Sequence, residues 1–177
     1  MADSSLSKLG LGGGCHWCTE GVFASLIGVI AVNQGWISPV NDKNHFSEAI
    51  EVIFDPKLIS QHDLINIHLH THAASSNHAM RDKYRSALYA YNNEQYEQMS
   101  DSLLNLSLDF DSKLITQVFH FYEFKLNKAE LQNYFYSAPN RPFCQTYIHP
   151  KLRLLLNKFT DHVDHKKLSK SGVDLLS

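Results

Sequence analysis

The chain has 177 residues, a formal net charge of −2, 44% hydrophobic and 19% charged residues, which suits one ordinary globular domain with one core. That balance carries no basic footprint for nucleic acid, and the charges of Lys166, Lys167 and Lys170 sit in a polar tail that reads as a solvated end. With no run of about 18 apolar residues and no apolar stretch in "MADSSLSKLG", a membrane partner and a secretory leader are not expected, and the chain reads as cytoplasmic.

Residues 6–11 form a short apolar strand that runs into Gly12-Gly13-Gly14. The apolar spacing of Trp17, Val22, Phe23 and Leu26 predicts a helix over 16–26, with Cys15 at its N-terminus. Strands follow over 29–37 and 46–54, separated by the polar turn 39–44 and ended by Asp55-Pro56. Ser60 and Asp63 approximate a capping box, with Ile59 and Leu64 as its staple, for a helix reaching about residue 70. The polar segment 71–83 reads as a loop, 86–91 as a strand, 93–106 as a helix and 114–124 as a strand. Asn127 and Glu130 predict a second capping box, stapled by Leu126 and Leu131, for a helix ending near residue 137. "APNRPF" (138–143) is a proline-bounded loop leading to Cys144. A last helix covers 151–159, and the chain from about residue 164 onward reads as a frayed, flexible tail. Helices and strands mix without strict alternation, which predicts a single α+β domain over 1–177: a two-layer sandwich with helices on a mixed or antiparallel sheet.

The chain has three cysteines, and in a reducing compartment such residues are catalytic or metal-bound more often than structural. Structural zinc would need Cys15, Cys18, Cys144 and a histidine, and a bulky Trp17 suits a metal knuckle poorly. The redox reading is stronger. A thiolate at a helix N-terminus is stabilised by unpaired N–H groups, and three glycines let the backbone present it. Cys18, one turn on, lies on the same face as Cys15, and Cys144 has a loop's mobility with which to reach an oxidised sulfur.

The segment "GGGCHWCTEGVF" resembles the active-site signature of the A-type peptide methionine sulfoxide reductases. "NQGWIS" (33–38), "SEAIEVIFDP" (47–56), "KYRSALYAY" (83–91) and "LQNYFYSAPNRPFCQ" (131–145) resemble further blocks of that family, in its order. The resemblance implies that family's fold, with a ferredoxin-like core, and the reduction of methionine-S-sulfoxide, free or in peptides. It implies Cys15 as nucleophile, passing through a sulfenic acid to a disulfide with Cys144, or with Cys18 instead or as well. A thioredoxin-like reductant would restore the thiols, with no cofactor and no metal, in a monomer. Trp17 would pack the substrate methyl group, and Tyr84 would donate to the sulfoxide oxygen.

Three departures stand out. His16 occupies a usual phenylalanine position, Trp36 a usual tyrosine, and the turn "PVNDKN" (39–44) lacks the glutamate expected there as proton donor. The position of a usual aspartate in "NHAMRD" (77–82) holds Ala79. General-acid candidates are therefore His16, Glu48, His78 and Asp82. His16, next to the nucleophile, is expected to lower the Cys15 pKa and deliver a proton. Trp36 and Glu48 complete the expected substrate contacts.

"HLHTH" (68–72), with His62 and His78, offers His68 and His72 one turn apart as metal ligands, against the plainer reading of a polar helix end. Two rival functions remain: a thiol–disulfide or peroxide-handling protein that has lost sulfoxide turnover, and a zinc- or partner-binding module.

Overall fold

A computed structural model describes residues 5–175. Its strands are β1 (Ser7–Gly12), β2 (Val29–Pro39), β3 (Ser47–Phe54), β4 (Ala87–Ala90) and β5 (Gln117–Leu126). Its helices are α1 (His16–Phe23), α2 (Gln61–Thr71), α3 (Asn93–Ser107), α4 (Tyr134–Ser137), α5 (His149–Lys158) and α6 (His165–Lys170). The α+β class and the mixed sheet stand: β4 and β5 run parallel, and every other pairing is antiparallel.

The helices pack against this sheet, whose two edges meet. The sheet closes as a five-stranded barrel in the order β1-β3-β2-β5-β4, sealed by the pairing of Gly10–Gly12 in β1 with Ala87–Tyr89 in β4. Closure of so few strands needs tight coiling, and β2 supplies it. Register shifts at Val29/Ala31 and Ser38/Pro39 bend that strand. At Gly35 the β5 backbone comes so near that an added Cβ would lie 1.9 Å from the Lys125 carbonyl oxygen. A small cluster of Ile37, Ala49, Ala87 and Tyr89, with Phe119, Phe121 and Phe124, packs together on one face of the sheet. The larger core, including Leu9, Leu11, Phe23, Ile50, Val52 and Leu64, joins the opposite strand residues to the helices.

Ser60 caps α2 as its sequence predicts, accepting from the Asp63 N–H at 3.0 Å, and Asn92 caps α3 in the same way. The box expected at Asn127 does not form. The Asn127 amide turns inward to Gln34 Oε1 at 2.7 Å, and the segment holds only a 3₁₀ turn (Ala129–Leu131) before Asn133 adopts a left-handed conformation at φ 54°. The short helix α4 starts there, because Glu20 from α1 accepts the N–H groups of Asn133 and Tyr134, both at 2.9 Å.

Two further expectations change. Cys144 does not sit in a mobile loop: it begins a π-helical turn (Cys144–Ile148) that feeds α5, and it is 0% exposed. The stretch from Asp164 is not frayed over its described part. Asp164 caps α6 through the Lys167 N–H at 3.0 Å, and Leu168 and Leu175 are buried in the core. Among the described residues no helix is long and apolar enough to cross a membrane.

Candidate active site

Strand β1 ends at Gly12, α1 begins at His16, and the intervening residues are held from three sides. His68 Nε2 donates to the Gly12 carbonyl at 2.8 Å. Arg81 Nη1 donates to the Gly13 carbonyl and to the Tyr84 carbonyl, both at 2.9 Å. Gly13 adopts φ +154°, and a Cβ there would come within 2.5 Å of the His72 ring. Glycine is required at that position. Beside Gly14 the space is open, with nothing within 4 Å of an added Cβ.

Cys15 is the N-cap residue of α1 and is partly exposed. Its thiol pKa lies below the usual value. The largest cause is the hydrogen bond from the Cys18 thiol; the backbone N–H groups of Trp17 and Cys18 add to it, and burial and the Glu48 charge oppose it. The proton is correspondingly held on Cys18, whose thiol is pushed far up by the same hydrogen bond and by burial. The lowered pKa expected of a thiol at this helix mouth is present at Cys15, with Cys18 as its proton-bearing partner.

Residues 16, 48 and 36 meet on the β2–β3 side. Glu48 pairs with Trp36 across the strands and is 5% exposed. His16 Nδ1 lies 2.8 Å from the Gly35 carbonyl, so it must be the donor there, and Nε2 faces Glu48 Oε1 at 3.2 Å. Nε2 also lies 3.4 Å from the Asn127 amide nitrogen, which can donate to it, and the His16 backbone N–H donates to Glu48 Oε1 at 3.4 Å. Burial pushes the His16 pKa down. The ring is 4% exposed, and its edges face Gly35, Glu48 and Asn127, not the opening beside Gly14. The Glu48 charge acts on both Cys15 and Tyr84. Lys83 Nζ, on the exposed side, is 3.5 Å from Glu48 Oε2. His78 and Asp82 lie on the exposed loop before β4, with His78 Nδ1 accepting the Met80 N–H.

Trp36 packs edge-on to the His16 ring at 5.1 Å, completing that wall. Tyr84 is half-buried, and burial raises its pKa, with the negative charges of Glu48 and Cys15 acting the same way. Trp17 stacks on Tyr134 at 4.1 Å and meets Phe143 edge-on at 5.3 Å, with Arg141 over the far side of Tyr134. Its indole N–H is buried without a partner. The niche beside Cys15 is thus aromatic, and the segment just before Cys144 forms part of it.

Behind α1, the Cys144 charge acts on Cys18, and Lys151 acts on both Cys18 and Cys15 while donating to the Thr71 carbonyl. Burial pushes the Cys144 thiol up. His68 and His72 serve the backbone: His72 Nδ1 bonds the His68 carbonyl, and Nε2 bonds Ser86 Oγ at 2.8 Å. Among the described residues no group of three His, Cys, Asp or Glu side chains converges as a metal site.

Sequence reasoning missed Tyr134, Phe143, Asn127, Glu20 and Arg81. The first two belong to a block that could have been read as aromatic lining. The other three act through contacts that no local pattern announces. A groove of about 910 Å³ between α3 and β5 is lined by residues such as Tyr96, Leu103 and His120 and lies away from this chemistry.

A cysteine at a helix mouth, with a thiol partner one turn on, a buried acid and an aromatic niche, defines a thiol-dependent redox site on an α+β barrel. Residues 7–164 match the family model described as "Peptide methionine sulfoxide reductase". The chain belongs to this family. It is 30% identical over 174 residues to the peptide methionine sulfoxide reductase MsrA of Trichodesmium erythraeum, covering 89% of this chain and 98% of that protein. It is 31% identical over 165 residues to MsrA of Deinococcus radiodurans, covering 84% and 80%. Among solved structures, reduced Mxr1 from Saccharomyces cerevisiae shares the fold with a TM-score of 0.68 at 18% identity, over 82% of this chain and 92% of that one. Methionine sulfoxide reductase A of Corynebacterium diphtheriae does so with a TM-score of 0.68, over 78% and 77%.

Proposed function

We propose that the chain reduces methionine-S-sulfoxide in peptides or as the free amino acid, with Cys15 as nucleophile. The observation that carries this is the Cys15–Cys18 pair at the mouth of α1, its charge held on the partly exposed sulfur.

The Cys15 thiolate attacks the sulfoxide sulfur while the oxygen is protonated. Attack gives a sulfurane with a new S–S bond between Cys15 and the methionine sulfur; its hydroxyl passes to the Cys15 sulfur as the methionine S–O and S–S bonds break, so methionine leaves and Cys15 is a sulfenic acid. Glu48 is the proposed proton donor to that oxygen, with His16 as the group beside it and Tyr84 as an oriented hydroxyl. Trp17 and Trp36 pack the substrate's methyl group and chain.

Cys18 then attacks the sulfenic sulfur, releasing water and closing a Cys15–Cys18 disulfide. Its thiol already bonds Cys15, which favours it over the fully buried Cys144 as first resolver. Cys144 follows by exchange on Cys18, which frees Cys15, and an external dithiol of thioredoxin type reduces the Cys18–Cys144 bond. Mxr1 has been solved in complex with Trx2, which supports a partner of that kind.

The test is stereospecific consumption of a methyl aryl S-sulfoxide with dithiothreitol. Wild-type chain is expected to turn it over and Cys15→Ser to lose it completely. Residual turnover by Cys15→Ser would remove the assignment.

A further inference from the structure

A second cavity opens beside the active-site loops. It has a volume of about 490 Å³ and is bounded by Asn77, Arg81, Arg85, Lys113, Ser86 and Thr116 with neighbouring backbone, and no carboxylate lines it. Asp111 lines the adjacent groove instead. Among the described residues, none of Arg81, Arg85 and Lys113 has a carboxylate within ion-pairing distance. Arg81 spends its donors on the carbonyls of Gly13, Ala73, Ser76 and Tyr84. Arg85 bonds Tyr89 Oη and the His45 carbonyl, and its guanidinium lies over Phe119. These partners are neutral. The hollow is thus lined by three cationic residues and no carboxylate; Arg81 and Arg85 hold their guanidinium donors on neutral groups, and Lys113 is the cation left to meet an incoming anion.

The hollow also shares a wall with the opening at Cys15. Arg81 touches the carbonyls of Gly13 and Tyr84, and Ser86 lies two residues beyond Tyr84. Gly12 of β1 pairs with Ala87 of β4, which pairs with Gln117 of β5. Two strand spacings therefore separate the end of β1 from the hollow, about 10 Å, the span of about three extended residues.

We infer that this hollow is a subsite for a carboxylate carried by the substrate: an Asp or Glu about two to three residues from the methionine sulfoxide in a peptide. The inference rests on Cys15 being the reacting sulfur. Charge complementarity selects an acidic flank, and the same three cations repel a lysine-bearing one.

The experiment compares two peptides, each with one methionine-S-sulfoxide, flanked at these positions by Glu or by Lys, with a blocked single-residue sulfoxide as reference. At low ionic strength the wild-type KM is expected to be about fivefold lower for the Glu peptide. The gap is expected to vanish in Lys113→Glu and in about 0.5 M salt. Turnover of the single-residue reference is expected to be unchanged in Lys113→Glu. Equal KM values in the wild type, or a gap that survives Lys113→Glu, would overturn the subsite. Anisotropy binding of the labelled peptides to Cys15→Ser ranks them without chemistry. A preserved ranking without wild-type turnover would count against the reductase reading and leave the subsite standing. Inorganic phosphate at matched ionic strength is the last arm. If phosphate shields Lys113 from acylation while the two peptides bind alike, the hollow holds a free oxyanion and the proposal is wrong.

Discussion

At the scale of single residues, the site works by deciding where protons sit. Cys15 keeps a lowered pKa because Cys18 gives its hydrogen to the sulfur and the helix supplies two N–H groups. Removing that donor in Cys18→Ala is expected to move the pH midpoint of Cys15 alkylation by iodoacetamide upward. Reductase activity at neutral pH is expected to fall about tenfold, the worth of a hydrogen bond to a charged atom. An unmoved midpoint would remove Cys18 from this role. Glu48 is the second such residue. Its Oε1 lies 3.2 Å from His16 Nε2, while Nδ1 is committed to Gly35. Glu48→Gln keeps the size but cannot pass a proton, and kcat is expected to drop about a hundredfold with KM little changed. Steady-state kinetics on one sulfoxide decide it. Both cysteines and Glu48 were legible in the sequence. The contacts of His16 with Gly35, Glu48 and Asn127 were not, because adjacency to Cys15 in the chain says nothing about which way a buried ring faces.

At the scale of elements, α2 acts as a brace for the nucleophile loop. His68 and His72 sit one turn apart, and each uses its ring to hold a backbone group or a hydroxyl. Burial lowers both pKa values, to about 4 for His72 and well below 6.5 for His68. A base with a depressed native pKa contributes stability that is complete above its unfolded value of 6.5 and is lost as pH falls through the native value. The protein is therefore expected to lose stability between neutral pH and about pH 4, by about 3 kcal/mol for His72 alone. Urea denaturation across that range should show a shallower loss in His72→Gln, and an identical slope would contradict the account. The histidine run was visible as a pattern, but its use was not. Imidazoles one turn apart suit a metal and suit backbone carbonyls equally, and only the approach of Gly12 and Gly13 separates the two. The failed helix start at Asn127 teaches the same lesson. The local capping signal was sound, yet a buried Gln34 amide beside the site took the Asn127 side chain and Glu20 took the N–H groups downstream.

For the molecule as a whole, closure of the barrel brings four distant segments to one opening: the glycine loop, β3, the loop before β4 and the segment 134–144. The C-terminal segment both lines the niche, through Tyr134 against Trp17, and carries Cys144. With sulfoxide in excess and no external reductant, wild-type chain is expected to release about two methionines per chain, since exchange onto Cys144 frees Cys15 once more. Cys144→Ser is expected to release about one and to trap a Cys15–Cys18 disulfide. Product counting with mass mapping of the disulfides checks both, and a bond from Cys15 directly to Cys144 in the wild type would reverse the order of resolution.

Read as a linear chain, the protein already declares its family, the cysteine proposed as nucleophile, most of its helices and strands, and the residue types of its niche. These rest on local matters: glycines before a cysteine, apolar spacing, the cap at Ser60. The closed sheet, the depth of Cys144, the contact of Glu48 with His16, and the meeting of Trp17 with Tyr134 came only with the folded chain. Each depends on residues far apart in sequence being pressed together by the burial of apolar surface. Once they are together, every buried donor and acceptor must find a partner among whatever the fold has placed within reach.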